Sequence, residues 1–190
     1  MTSLLETQRL IIRRWIPEID AEQAFTIYGD AEVMRFIGTG KTQASIETQR
    51  QSLEAAIARY EQSNNTTTGA WAIVEKQSTT VVGTILLKQL PDEKRQPTQD
   101  YEVGWHLRKA SWGKGYATEA AREIIDYGFN ILKLPVIYAV VKPENNASVK
   151  VTQRLGMKAL GITNQYYGGV ELLLFKLDSQ ENKSKMRFNN

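Results

Sequence analysis

A mixed, mostly antiparallel sheet with helices on both faces, an α/β (α+β) fold, is predicted from three observations. Segments with strand-like and helix-like patterns run strand, two helices, three strands, helix, strand, helix, two strands, which is neither a regular alternation nor all-β. Two pairs of strand-like runs are separated only by short polar or glycine-bearing turns, as antiparallel hairpins require. A single segment, 101–141, reads strand–helix–strand, and so supplies one parallel, right-handed crossover in a sheet of about seven strands.

The elements follow in order. Leu10, Ile11 and Ile12 mark a first strand over 9–15, stopped by Pro17. Asp20 is placed to cap a short helix reaching Tyr28, which Gly29 ends. A longer helix is expected after Thr42, because Ile46, Leu53, Ile57 and Tyr60 recur near the 3.6-residue period. Residues 63–69 read as a polar loop. Strands over 70–75 and 80–87 pair across 76–79. The charged stretch 91–99 carries two prolines and reads as an exposed connection.

A strand over 101–107 precedes the strongest helical pattern. Ala117, Ala121, Ile124, Gly128, Ile131 and Leu132 share one face of that helix, with Glu119 near its start and Lys133 near its end. Pro135 stops it. A buried-type strand over 136–141 follows, then a helix over 145–155 closed by Gly156. Two strands, around 157–167 and 170–177, complete the chain as a hairpin across Gly168 and Gly169.

The 190 residues, 42% apolar and 24% charged, suit one domain with its own core over 1–178. The net charge is +3, and much of the excess sits in 179–190, where Lys183, Lys185 and Arg187 face only Glu181. Such a basic tail reads as a flexible, solvated end rather than a nucleic-acid arm. The body has no basic stripe, so nucleic acid is the disfavoured partner. The absence of cysteine excludes disulfides, thiolate zinc sites and an acyl group carried on sulfur. With His106 as the single histidine, imidazole clusters are excluded too, and no metal is expected. Residues 1–5 lack the basic and apolar regions of a secretory signal, and no run approaches the roughly 20 apolar residues that span a bilayer. A cytoplasmic protein without membrane contact is expected.

The most informative string is Trp112-Gly113-Lys114-Gly115-Tyr116-Ala117-Thr118-Glu119-Ala120. Two glycines between a strand and a helix let successive amide hydrogens point inward, and the helix start adds its free amides and positive dipole end. That is an anion site, with Lys114 as an added attraction; the alternative is a turn that merely connects two elements. A Walker loop, GxxxxGK[ST], occurs nowhere. The dinucleotide pattern fails as well, since its third glycine position is Thr118.

This string resembles the acetyl-CoA pyrophosphate loop of the GNAT N-acetyltransferase family, [QR]-x-x-G-x-[GA], with Gly115 and Ala117 matching and Trp112 replacing the first residue. Other segments resemble the RimJ/RimL-like subgroup, which acetylates ribosomal-protein N-termini. These are Glu6 through Arg13, Val82-Gly83-Thr84-Ile85, Glu102 through Leu107, and Asn145-Asn146-Ala147-Ser148 continued to Arg154-Leu155-Gly156-Met157.

The resemblance implies a GNAT-like sheet whose fourth and fifth strands splay apart to admit the pantetheine arm of acetyl-CoA. It implies that the main chain of Trp105, His106 and Leu107 grips the pantetheine amides. The amides of Gly113, Lys114, Gly115, Tyr116, Ala117 and Thr118 hold the pyrophosphate. Asn145 contacts the pantetheine arm, and Lys150 or Arg154 lies near the nucleotide. Asn145 also reads as a helix N-cap. Direct attack by an amine in a ternary complex is implied, with no covalent acyl-enzyme and no metal. A strand amide near Leu107 supports the oxyanion, and Ser148 protonates the departing thiolate, with Tyr166 or Tyr167 as another donor. Glu102, acting directly or through water, and Glu171 are the two candidate bases. The side chain of His106 points away from that of Trp105 and reads as structural.

The acceptor implied is a protein N-terminal amine. A small amine, such as a polyamine, an amino acid or a drug, is the alternative within enzymes, and a non-catalytic CoA-binding module is the alternative outside them. Monomer and homodimer both fit.

Overall fold

The computed structural model describes residues 3–62 and 67–180. The basic tail beyond Gln180 and part of the expected 63–69 loop lie outside the described residues. The order is β1 (Ser3–Glu6), β2 (Leu10–Arg13), α1 (Pro17–Tyr28), α2 (Ala31–Met34), α3 (Ile46–Gln62), β3 (Gly69–Glu75), β4 (Val81–Pro91) and β5 (Pro97–Leu107). A 3-10 turn (Lys109–Ser111), α4 (Tyr116–Asn130), β6 (Val136–Val141), α5 (Asn146–Arg154), β7 (Lys158–Thr163) and β8 (Leu172–Asp178) follow. The eight strands hydrogen-bond in the order β1-β2-β3-β4-β5-β6-β8-β7. The expected mixed sheet is present, with one strand more than the sequence suggested. That strand, β1, carries only Leu4 and Leu5 as apolar residues, too few to set a period. It pairs with β2 through Ser3↔Arg13, Leu5↔Ile12 and Glu6↔Ile11.

The chain forms two compact units, Met1–Leu86 with Trp105–Glu123 and Leu87–Gly104 with Ile124–Asn190. In the first, Trp15, Ala24, Ile27, Val33, Leu53, Ala72, Val74 and Val81 build one buried cluster. Large apolar side chains of this kind contribute about 1.5–3 kcal/mol each. Pro17 does not merely stop a strand; it occupies the first helical turn, where a missing N–H costs nothing. Asp20 does not cap α1, whose N-cap is Ile16. Its carboxylate accepts from the Ile16 amide at 2.8 Å and from both terminal nitrogens of Arg13 at 2.6 and 2.8 Å. β2 is thereby fastened to α1. On α3 the buried positions are Leu53 and Gln49, whereas Ile46 is 40% exposed.

In the second unit, β6 and β8 are antiparallel from Val136↔Asp178 to Val141↔Leu173, and β7 continues this pairing on β8. The 91–99 connection shrinks to a turn because both prolines sit at strand ends, where a lost donor is tolerated. Asp92 holds that turn by accepting from the amides of Lys94 and Gln96, each at 2.8 Å. β7 ends at Thr163, so the last connection is a longer turn rather than a hairpin of two glycines, and Glu171 precedes β8 rather than lying on it. α4 stops at Asn130, leaving Ile131 66% exposed instead of on the buried face. β5 and β6 pair in parallel through Glu102↔Tyr138, as the crossover predicted. Among the described residues no helix is long and apolar enough to cross a membrane.

Candidate active site

The glycine loop sits in the first unit, between the 3-10 turn and α4. Gly113 and Gly115 have φ of 76° and 82°, a left-handed conformation that a side chain would strain. Among the described residues, no backbone carbonyl outside the helix accepts from the amides of 113–118, as expected of a first helical turn. A β-carbon added to Gly113 would meet nothing within 4 Å, so the outer side of the loop is open. Ala117 and Thr118 are buried, and Lys114 is exposed. Free amides, a helix start and an open approach suit an anion of diphosphate chemistry.

The loop is braced by residues distant in sequence. Arg9 donates from Nε to Glu119 Oε2 at 2.7 Å, from its own amide to Glu119 Oε1 at 3.1 Å, and from Nη1 to the Lys114 carbonyl at 3.1 Å. Thr7 adds a hydroxyl bond to Glu119 Oε1 at 2.6 Å. The Arg9 guanidinium also lies 4.8 Å from the centre of the Tyr116 ring. Burial pushes the Glu119 carboxyl upward, but the Thr7 and Arg9 bonds outweigh it and hold it below the usual carboxylate range. The Tyr116 hydroxyl donates to Glu75, which raises the phenol, so its ring is an anchor and only its amide faces the loop.

Trp105, His106 and Leu107 lie half-buried at the end of β5. Gly83 makes this strand end possible: a β-carbon there would stand 2.4 Å from the His106 carbonyl oxygen and 2.4 Å from Leu107 Cδ2. The His106 ring meets Tyr28 edge to face, with Nδ1 3.2 Å from the Tyr28 oxygen, and Tyr28 shares a 2.6 Å bond with Thr84. Burial pushes the Tyr28 phenol up to about 12, so it stays neutral. Trp112, which replaces the polar residue of the motif, donates its indole N–H to the Leu107 carbonyl at 3.0 Å. Its side chain thus ties loop to strand.

In the second unit Glu102 is 4% exposed on β5. Burial raises its carboxyl above the ordinary 4.5, against the lowering pull of Lys88 and Tyr167. Lys88 Nζ is 3.5 Å from Glu102 Oε1, the Tyr167 hydroxyl donates to the same oxygen, and the ammonium lies 5.2 Å from the centre of the Tyr167 ring. Tyr166 is engaged elsewhere: its hydroxyl donates to Asp100 at 2.7 Å, and burial with that carboxylate raises its pKa. Glu171 is exposed. Asn145 caps α5 by accepting from the Ser148 amide at 3.2 Å. Ser148 is half-buried, while Lys150 and Arg154 are exposed.

Sequence reasoning missed Arg9 and Glu75 as loop supports, Lys88 as the cation beside Glu102, and Tyr28 with Thr84 behind His106. None has a local signature, because each partner lies on another element. Among the described residues no group of acidic or histidine side chains could hold a metal ion.

Residues 9–158 match the family model described as an acetyltransferase (GNAT) domain. Over 166 residues the chain is 31% identical to an uncharacterized N-acetyltransferase, YoaA, of Bacillus subtilis (strain 168), covering 87% of this chain and 89% of that protein. A stretch of 71 residues, 34% of this chain and 38% of the other, is 34% identical to the spermidine N(1)-acetyltransferase of Escherichia coli (strain K12). The fold resembles that of a ribosomal-protein-S5-alanine acetyltransferase from Vibrio fischeri, with a TM-score of 0.71, 21% identity, and coverage of 95% of this chain and 98% of that one.

Proposed function

Because the chain belongs to the acetyltransferase (GNAT) domain family, we propose that it moves an acetyl group from acetyl-CoA to a protein N-terminal α-amine, in a RimJ/RimL-like reaction by direct attack. The observation that carries the donor half is the open 113–118 loop with its unpaired amides, held by Arg9 and Glu119. These amides take the pyrophosphate, Lys114 adds long-range attraction, and the main chain of Trp105, His106 and Leu107 takes the pantetheine amides by strand addition. Asn145 serves the pantetheine arm as well as its helix, and Arg154 the nucleotide end.

The amine nitrogen attacks the thioester carbonyl carbon, the C–S bond breaks, and the amine proton and the thiolate must each be dealt with. Glu102, whose raised pKa brings it closer to neutrality, takes the amine proton directly or through water. The Leu107 amide supports the developing oxyanion. The Ser148 hydroxyl, which makes no hydrogen bond among the described residues, returns a proton to the thiolate. Tyr167 and Lys88 position Glu102 and favour its charged form against the effect of burial.

A small-amine acceptor is the second reading, favoured by the 71-residue similarity to a spermidine acetyltransferase. Acetyl-CoA turnover against N-terminal peptides and small amines, with mass spectrometry of the products, separates the two. Acetylated peptide α-amines are expected. Turnover confined to polyamines would replace the protein acceptor with the small one, and no turnover with any amine would remove the catalytic reading.

A further inference from the structure

In the first unit, α3 covers a cavity of about 240 Å³ bordered by Trp15, Tyr28, Tyr60 and Thr84 among others. Gln49 lines it from α3. That residue is 2% exposed, and its Oε1 has no hydrogen-bond partner. A buried carbonyl oxygen left unpaired is desolvated without compensation, a cost that a bound hydrogen-bond donor would recover. The terminal torsion of a glutamine is broad, so its amide turns toward the cavity at little cost.

Three properties define the occupant. The lining contains no Asp, Glu, Lys or Arg, so a cationic group would be desolvated without a counter-charge. The volume exceeds the roughly 150 Å³ that holds a benzene ring, yet falls below the roughly 300 Å³ at which whole-ligand pockets begin. The cavity therefore holds one uncharged ring or side chain, not an entire ligand. Its wall is also continuous with the cofactor strand, since Tyr28 and Thr84 line it and the Tyr28 hydroxyl contacts His106 on β5.

We propose that this cavity receives the uncharged, donor-bearing side chain next to the acceptor amine, with Gln49 as the residue that reads it. The assignment rests on the acetyl-transfer reading above and narrows it. The acceptor is an N-terminal residue of tyrosine-like chemistry rather than a polyamine.

Calorimetry with tyrosinamide, phenylalaninamide and spermidine tests the cavity without turnover. A phenol both donates and accepts, so tyrosinamide pairs with either orientation of the Gln49 amide. Tyrosinamide should bind about ten- to a hundredfold more tightly than phenylalaninamide, the cost of one buried unpaired group, and spermidine should bind most weakly. Gln49→Leu, which removes the orphan, should stay folded and erase the preference. Ala56→Trp, which fills the cavity from α3, should abolish binding of both amides. Equal binding of the two aromatic amides to the wild type, or an unchanged preference in folded Gln49→Leu, would overturn the proposal. So would tyrosinamide binding without acetylation in a protein that acetylates another amine. Absence of turnover with every amine would count against the acetyl-transfer reading instead, because calorimetry reads the ligand chemistry of the cavity separately.

Discussion

Tyr167 donates its hydroxyl hydrogen to Glu102, so a tyrosine in left-handed backbone conformation, φ 54°, stabilises the charged form of a carboxylate that burial works to neutralise. If Glu102 is the base, Glu102→Gln should lower kcat by about 10²–10⁴-fold. The rate of the wild type should fall as pH drops through the raised Glu102 pKa. Tyr167→Phe removes a lowering influence, so the acidic limb of kcat/KM should move to higher pH. A limb that stays in place in folded Tyr167→Phe would remove Glu102 from the reaction.

The same carboxyl makes stability depend on pH. Its folded pKa lies above the ordinary 4.5, so the folded state holds more protons than the unfolded chain between those two values. Stability from this group is therefore greatest below 4.5 and declines as pH rises to the folded pKa. Melting curves across that window should show the wild type losing ground relative to Glu102→Gln, and parallel curves would contradict the burial argument.

Loop substitutions separate backbone from side-chain recognition. Lys114→Ala removes an exposed charge and should weaken acetyl-CoA by about 1 kcal/mol or less. Gly115→Val places a branched side chain at φ 82°, with its β-carbon 3.5 Å from Arg9 Nη2, and should be much worse. Equal dissociation constants for the two folded variants would defeat the amide-cradle reading.

Arg13 and Asp20, with side chains only 8% and 1% exposed, test the fold rather than the chemistry. Asp20→Asn leaves a buried guanidinium without its counter-charge, a change costing about 3–5 kcal/mol. For a chain of this length, that should lower Tm by roughly 10 °C. A shift within a degree or two would mean that the pair is hydrated in solution.

Ser148→Ala should slow a single turnover without changing acetyl-CoA affinity, because the cap of α5 comes from Asn145 and the Ser148 amide, not its hydroxyl. An unchanged single-turnover rate would take the acid role from Ser148.

What the sequence disclosed was chiefly what nearest neighbours decide. β6 ran over the expected residues, and α5 opened at Asn145 and closed before Gly156, because caps and prolines act within one turn of the residues they govern. The boundaries of β4 and β5 were misjudged because Pro91 and Pro97 punctuate the pattern, whereas the side chain of Asp92 makes the turn. Asp20 looked like a cap because its partner Arg13 lies on a strand, outside any helical pattern. Gln49 carried no signal, because periodicity ranks polarity and cannot see a cavity. The glycine loop was legible; its brace was not, since Arg9 and Glu119 are 110 positions apart.

That separation sets an order of assembly during biosynthesis. At about 5–20 residues per second, Arg9 is joined to the chain roughly 5–20 s before Glu119. The N-terminal hairpin has time to pair locally while its guanidinium has no destination, and the glycine loop is braced only once Glu119 has followed it into the chain. Binding competence should therefore appear late in synthesis, with released fragments ending before Glu119 unable to retain CoA even though they carry every loop residue from 113 to 118.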